Sequence, residues 1–135
     1  MIRGTARLKF EKGRGLHADF NSDFLRYYLW LYNKSTYNFY AMTTSRFGAH
    51  ISITLDGIHN FNDSALKKYV GKTIVFYYDP RQIYSGGRRK GFLGFYMPIK
   101  SEDIDLIRKE LGIPNDLRNS LHISLFNDKS FRALG

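Results

Sequence analysis

Cysteine is absent from this sequence. Its absence excludes disulfides, thiol nucleophiles and cysteine-ligated zinc, and it fits a reducing compartment. No apolar run is long enough to span a membrane. The opening residues, Met1-Ile2-Arg3-Gly4-Thr5-Ala6-Arg7, lack the apolar stretch of a signal peptide, so the chain is expected to stay in the cytoplasm, with no membrane association. Composition shifts, long linkers and low-complexity tracts are also missing, and 135 residues suit one compact domain over 1–135. Negative charge is scarce: 12 Asp and Glu stand against 21 Lys and Arg, a formal +9.

A basic excess of this size favours polyanionic partners such as nucleotides or RNA. By itself it also describes an ordinary soluble basic surface. Hydrophobic residues at 43% are enough for a core, and the 10 Tyr, 11 Phe and 1 Trp should mostly sit in it. No obligate protein partner is implied.

Local pattern predicts an α+β chain. Thr5–Phe10 alternates as a strand, Lys12-Gly13-Arg14-Gly15 reads as a turn, and Leu16–Phe20 as a second strand. Ser22 is expected to cap a helix over Asp23–Tyr32, with Phe24, Leu25, Tyr28, Leu29 and Tyr32 on one face. Trp30 and the tyrosines of this helix are read as core. Ala49–Leu55 alternates strictly and is assigned as a strand. Asn62 or Asp63 should cap a short helix around Ser64–Val70 that Gly71 closes. Lys72–Tyr78 is a β-branched and aromatic strand. Tyr84–Lys90 contains Gly86-Gly87 and reads as a hairpin tip or exposed loop before a strand at Gly91–Ile99. Ser101 caps a helix over Glu102–Leu111, ended by Gly112 and Pro114. Leu121–Phe126 is the last strand. The order suggests two α+β halves, each with a helix and a strand that carries His-Ile-Ser.

Those two strands carry the chemistry. Ala49-His50-Ile51-Ser52-Ile53 and Leu121-His122-Ile123-Ser124-Leu125 share one pattern. Side chains alternate across a strand, so Ile51 and Ile53 point one way and His50 and Ser52 the other. In the second copy Ile123 and Leu125 face inward, while His122 and Ser124 face out. One such copy is most simply a solvated sheet face. Two copies, using two of only four histidines, point to a site.

Cleaving a phosphodiester requires one group to take a proton from the nucleophile and another to give one to the leaving oxygen. Imidazole, with an unperturbed pKa of about 6.5, does either near neutral pH. The serine hydroxyls can donate to the non-bridging oxygens, where charge builds in the transition state. A metal site is the competing reading. No carboxylate lies one or two residues from either histidine, and the His-x-His and His-Glu-x-x-His spacings are absent. No metal and no cofactor are therefore expected.

The two motifs, 72 residues apart, resemble those of the 2H phosphoesterase superfamily, whose members carry two His-x-Thr/Ser motifs flanked by hydrophobic residues. Both copies here have Ser where many members have Thr, which keeps the hydroxyl and loses a methyl. The resemblance implies a fold of two pseudo-symmetric lobes of antiparallel strands, with flanking helices around a central cleft. It also implies a metal-independent phosphodiesterase with His50 and His122 as the catalytic pair and Ser52 and Ser124 binding phosphate. Family substrates include 2',3'-cyclic phosphates, 2'-5' linked oligonucleotides and RNA ends. The small size and the Tyr-, Asn- and Lys-rich character resemble a bacteriophage branch, the anti-CBASS enzymes that cleave cyclic oligonucleotide signals of antiphage defence. Membership there would place the protein in the host cytoplasm. The Gly13–His17 segment is compatible with that branch.

Further candidates are weaker. Tyr84, Arg88 and Arg89 interleave basic, aromatic and glycine residues, as does a basic loop over an anionic substrate and, equally, a solvated hairpin tip. Arg14 and His17 form a second small basic segment. His17 is read as a surface histidine that can contact a base or phosphate. His59 is given no role. Beside the cyclic-oligonucleotide enzyme stand two rivals: an RNA-end phosphodiesterase, and a non-catalytic basic module that binds RNA or nucleotides.

Overall fold

The computed structural model describes residues 1–36, 42–44, 48–54, 61–89, 92–114 and 120–128. Eight strands and three helices lie among them: β1 (Ile2–Glu11), β2 (Gly15–Asp19), α1 (Asp23–Thr36), β3 (Met42–Thr44), β4 (His50–Ser52), α2 (Asp63–Lys67), β5 (Thr73–Tyr78), β6 (Tyr84–Arg89), β7 (Phe92–Lys100), α3 (Glu102–Glu110) and β8 (His122–Asp128). The architecture is α+β.

All strands join one antiparallel sheet in the order β3-β8-β4-β2-β1-β5-β7-β6, and an added β7–β8 pairing closes six of them into a barrel. The joints differ in strength. β1 pairs with β2 over five residues and with β5 over six, and β7 and β8 pair along most of their length. By contrast, β4 meets β8 through the single pair Ile51–Ile123, and β5 meets β7 through Tyr77–Lys100 and Tyr78–Ile99. Two four-stranded groups, β5-β1-β2-β4 and β6-β7-β8-β3, thus meet at two narrow seams.

Alternation sorts the two faces. In β1, Ala6 and Leu8 are buried, whereas Arg3, Thr5, Arg7 and Lys9 are exposed. Leu16, Ala18, Ile51, Ile74, Phe76, Met97 and Ile123 continue the apolar face. That face shares one core with Leu25 and Tyr28 of α1, Leu66 of α2, and Ile104 and Ile107 of α3. Burial of this kind contributes about 25 cal/mol for each Å² of apolar surface removed from water. The helices therefore sit against the apolar face.

Helix ends follow their caps. Ser101 Oγ accepts from Ile104 N–H at 3.2 Å and so caps α3, while Asn62 accepts from Ser64 N–H at 3.2 Å and caps α2. At α1, Asn21 Oδ1 accepts from the N–H of Asp23 at 2.9 Å, and Ser22 Oγ accepts from the N–H of Ala49 instead.

Several expectations change. Tyr84–Arg89 is a strand rather than a loop: it pairs with β7 from Tyr84–Tyr96 to Arg89–Phe92, and the two glycines mark a register shift instead of a tip. Lys90 and Gly91 lie outside the described residues. Trp30 and Tyr27 are exposed, at 55% and 56%, because α1 buries only the face that holds Leu25 and Tyr28. Lys34 sits 4.8 Å above the Trp30 ring. β4 ends at Ser52, since Ile53 and Thr54 both turn their N–H groups to Leu16 O. Leu55 and His59 lie outside the described residues. Among those residues, no helix is long and apolar enough to cross a membrane.

Candidate active site

The Ile51–Ile123 pair fixes the geometry. Both side chains are fully buried, so their neighbours emerge on the opposite face. The antiparallel register then sets His50 opposite Ser124 and Ser52 opposite His122. Four side chains from the two motifs form one tetrad, in which each histidine faces the other motif's serine. The two histidines occupy diagonal positions, about 7–8 Å apart for such pairs.

Both rings are held the same way. His50 Nδ1 lies 2.9 Å from Gly48 O, and His122 Nδ1 lies 3.0 Å from Ser120 O. A carbonyl only accepts, so each Nδ1 carries a proton and the lone pair of the neutral ring sits on Nε2. Nε2 is thus the basic atom of the neutral ring at both positions. His50 is half-buried and His122 exposed. Burial holds the His50 imidazole below its ordinary value of 6.5; the Gly48 carbonyl opposes this, and the nearby Arg14 guanidinium adds to the lowering.

The backbone around β4 is fixed at each end. Gly48 has φ +74°, and a Cβ there would lie 2.8 Å from Ser22 Oγ, the atom that binds Ala49 N–H. Downstream, Thr54 Oγ1 accepts from Leu16 N–H at 2.8 Å. Arg108, buried on α3, donates from Nε to Ile53 O at 3.0 Å and from Nη2 to Ser52 O at 3.2 Å. The helix on the apolar face thereby holds the carbonyl of a motif serine.

Register extends the polar face in both directions. His17 is opposite Ser52 and Asp19 opposite His50, and Lys9 and Arg7 follow on β1. His17 is buried at 3% exposure, not a surface residue, because it lies beneath its neighbours on this face: its ring meets His50 edge-on at 6.4 Å. Its Nδ1 faces Gly15 O at 3.3 Å, and its Nε2 lies 3.2 Å from Asp19 Oδ1. Arg14 is close enough to act electrostatically on His50 while its Nη1 binds Glu11 at 2.7 Å. On the other side, Tyr96 is opposite Ser124 and meets the His122 ring at 5.6 Å, and Tyr84 meets Tyr96 at 6.0 Å.

His50, Ser52, His122, Ser124, His17, Arg14 and Tyr84 therefore belong to one continuous region. Arg88 and Arg89 have their backbones in β6, and their side chains lie outside the description. Comparison with protein-family models, curated proteins and solved structures finds no match to this chain. The site stands on its own geometry. Among the described residues, no three His, Cys, Asp or Glu side chains are grouped to hold a metal ion. A groove of about 840 Å³ is lined by Phe24, Tyr27, Tyr28 and Tyr78, and among the described residues that line it Asp23 alone is charged and none is a histidine.

Three residues escaped the sequence reading. Asp19 follows His17 by two positions, so alternation alone would have placed it on the same face. Arg108 follows Ile104 by four positions and so lies on the buried stripe of α3, an unusual place for a cation. Nothing local marks Tyr96.

Proposed function

We propose that this protein is a metal-independent phosphodiesterase of the 2H phosphoesterase type. The cross-facing His50–Ser124 and Ser52–His122 tetrad carries the reading. His50, held neutral by burial, takes the proton from the attacking hydroxyl or water through Nε2. His122, the exposed partner, protonates the leaving oxygen from its own Nε2. Ser52 and Ser124 donate to the non-bridging oxygens between them; removing one such preorganised donor from an oxyanion hole costs about 2.7–4 kcal/mol. The two groups of strands joined at narrow seams correspond to the two lobes of the 2H fold under this reading.

The substrate we propose is a cyclic oligonucleotide of the kind cleaved by phage counter-defence enzymes. The test is a panel of cyclic dinucleotides, 2'-5' oligoadenylate and 2',3'-cyclic nucleotides, with products resolved by chromatography. Turnover that survives EDTA and disappears in both His50→Ala and His122→Ala is the expected result. Turnover that persists in either variant sinks the assignment. Tight binding of an intact substrate would favour the non-catalytic module.

A further inference from the structure

The polar face continues past the tetrad onto β1, which carries no group used in the chemistry above. Arg7 is opposite Asp19, and Asp19 is opposite His50. Arg7 therefore stands two strands from His50, roughly 10 Å across the sheet. Arg3, Arg7 and Lys9 all emerge from this face and are exposed. Arg3 lies four residues from Arg7, about 14 Å along the strand. Beyond it, Tyr77 pairs with Arg3 on one side and Lys100 on the other, and its ring is 41% exposed.

The carboxylates of this face lie closer to other basic groups than to Arg3 or Arg7. Asp19 faces His17 at 3.2 Å and Lys9 at 3.8 Å, and Glu11 binds Arg14 at 2.7 Å. Arg3 and Arg7 take part in no ion pair among the described residues. Arg7 thus projects beside the tetrad and Arg3 beyond it, and among the described residues neither has a carboxylate within ion-pair distance. Guanidinium is suited to this task, since its planar fork matches phosphate oxygens and keeps its charge at any working pH.

We infer that Arg7, with Arg3 beyond it, forms a subsite for a second backbone phosphate, so that the substrate is an oligonucleotide with two or more phosphodiesters rather than a cyclic mononucleotide. This rests on the phosphodiesterase reading of the tetrad. The second phosphate sits on Arg7 while the scissile one lies between the histidines. A cyclic dinucleotide and a short linear strand both present such a group. The reach to Arg3 and Tyr77 is used only by a linear strand, which would place a later phosphate on the cation and a base on the exposed ring.

Binding to the inactive double variant His50→Ala/His122→Ala separates this subsite from catalysis. Three ligands are compared by calorimetry or fluorescence: a 2',3'-cyclic mononucleotide, a cyclic dinucleotide and a linear oligoadenylate. Adding Arg7→Gln should weaken the dinucleotide and the linear strand about fourfold or more at physiological salt, and lower the slope of log K against log salt by about 0.7. The mononucleotide should be unaffected. Arg3→Gln should weaken the linear strand alone. Equal losses for all three ligands, or no loss for any, would overturn the subsite. Loss of the expected discrimination with hydrolysis intact in the parent refutes only the subsite. The expected discrimination with no hydrolysis by the parent refutes only the phosphodiesterase.

Discussion

Replacing Arg108 by leucine tests how the site is supported from behind. The guanidinium is 4% exposed and donates to Ser52 O and Ile53 O at 3.2 and 3.0 Å. Hydrogen bonds from charged donors contribute about 1.5–3 kcal/mol each, and a buried carbonyl left without a donor costs about 1–3 kcal/mol. Against this, removing a buried cation recovers several kcal/mol of desolvation. The balance leaves Arg108→Leu about 2–4 kcal/mol less stable than the parent. For a domain of this size that lowers the melting midpoint by roughly 10 °C. Arg108→Lys keeps the charge without the two-pronged geometry and should fall between them. Thermal unfolding by circular dichroism gives the midpoints, and kcat on the best substrate of the panel reports the placement of Ser52. A midpoint for Arg108→Leu within about 1 °C of the parent would refute this support of β4, since even 1 kcal/mol produces a larger difference in a domain of this size.

Acidity offers a second test. A general base must be neutral, and His50 stays neutral below the ordinary 6.5, so the acid limb of kcat/KM should lie under that value. Arg14→Gln removes one of the lowering causes and should move the limb upward; a limb above 6.5 in the parent contradicts the assignment of His50 as base. The same shift has a stability consequence of fixed sign: the unfolded imidazole takes up its proton first, so the His50 contribution is present above 6.5 and is lost as pH falls through the folded value. Glycine supplies a third test. Gly48→Ala meets both the φ of +74° and Ser22 Oγ at 2.8 Å, whereas Gly13→Ala meets a φ of +90° with open space around it. Denaturant titration should therefore show about 1 kcal/mol lost for Gly13→Ala and about 2 kcal/mol for Gly48→Ala.

The strand faces were legible because alternation is a local property. Leu8, Ile51 and Ile123 could be assigned to the core, and His50 and His122 to the other face, without knowing which strands pair. The caps at Asn62 and Ser101 and the turn at Gly13–Gly15 were legible for the same reason. Pairing was not. That β4 and β8 are neighbours in this register, which makes two separate motifs into one tetrad, follows from long-range closure that no window of sequence contains. Burial of His17 is non-local in the same way where its ring meets His50 of β4. The segment at Tyr84 misled because Gly86-Gly87 marks a register shift as readily as a tip. Trp30 misled because aromatic residues spaced through a helix do not reveal how wide a stripe the core will cover.

The single pair that joins β4 to β8 has a mechanical meaning. His50 and Ser52 belong to one group of strands, His122 and Ser124 to the other, and Ile51–Ile123 is the pin between them. A shift about that pin would leave each His–Ser pair intact, because each is fixed within its own strand. It changes only the interval between the two histidines. Under the proposed chemistry, which needs both motifs on one phosphate, a perturbation at this seam would alter the spacing of the two motifs while leaving each His–Ser pair in place on its own strand.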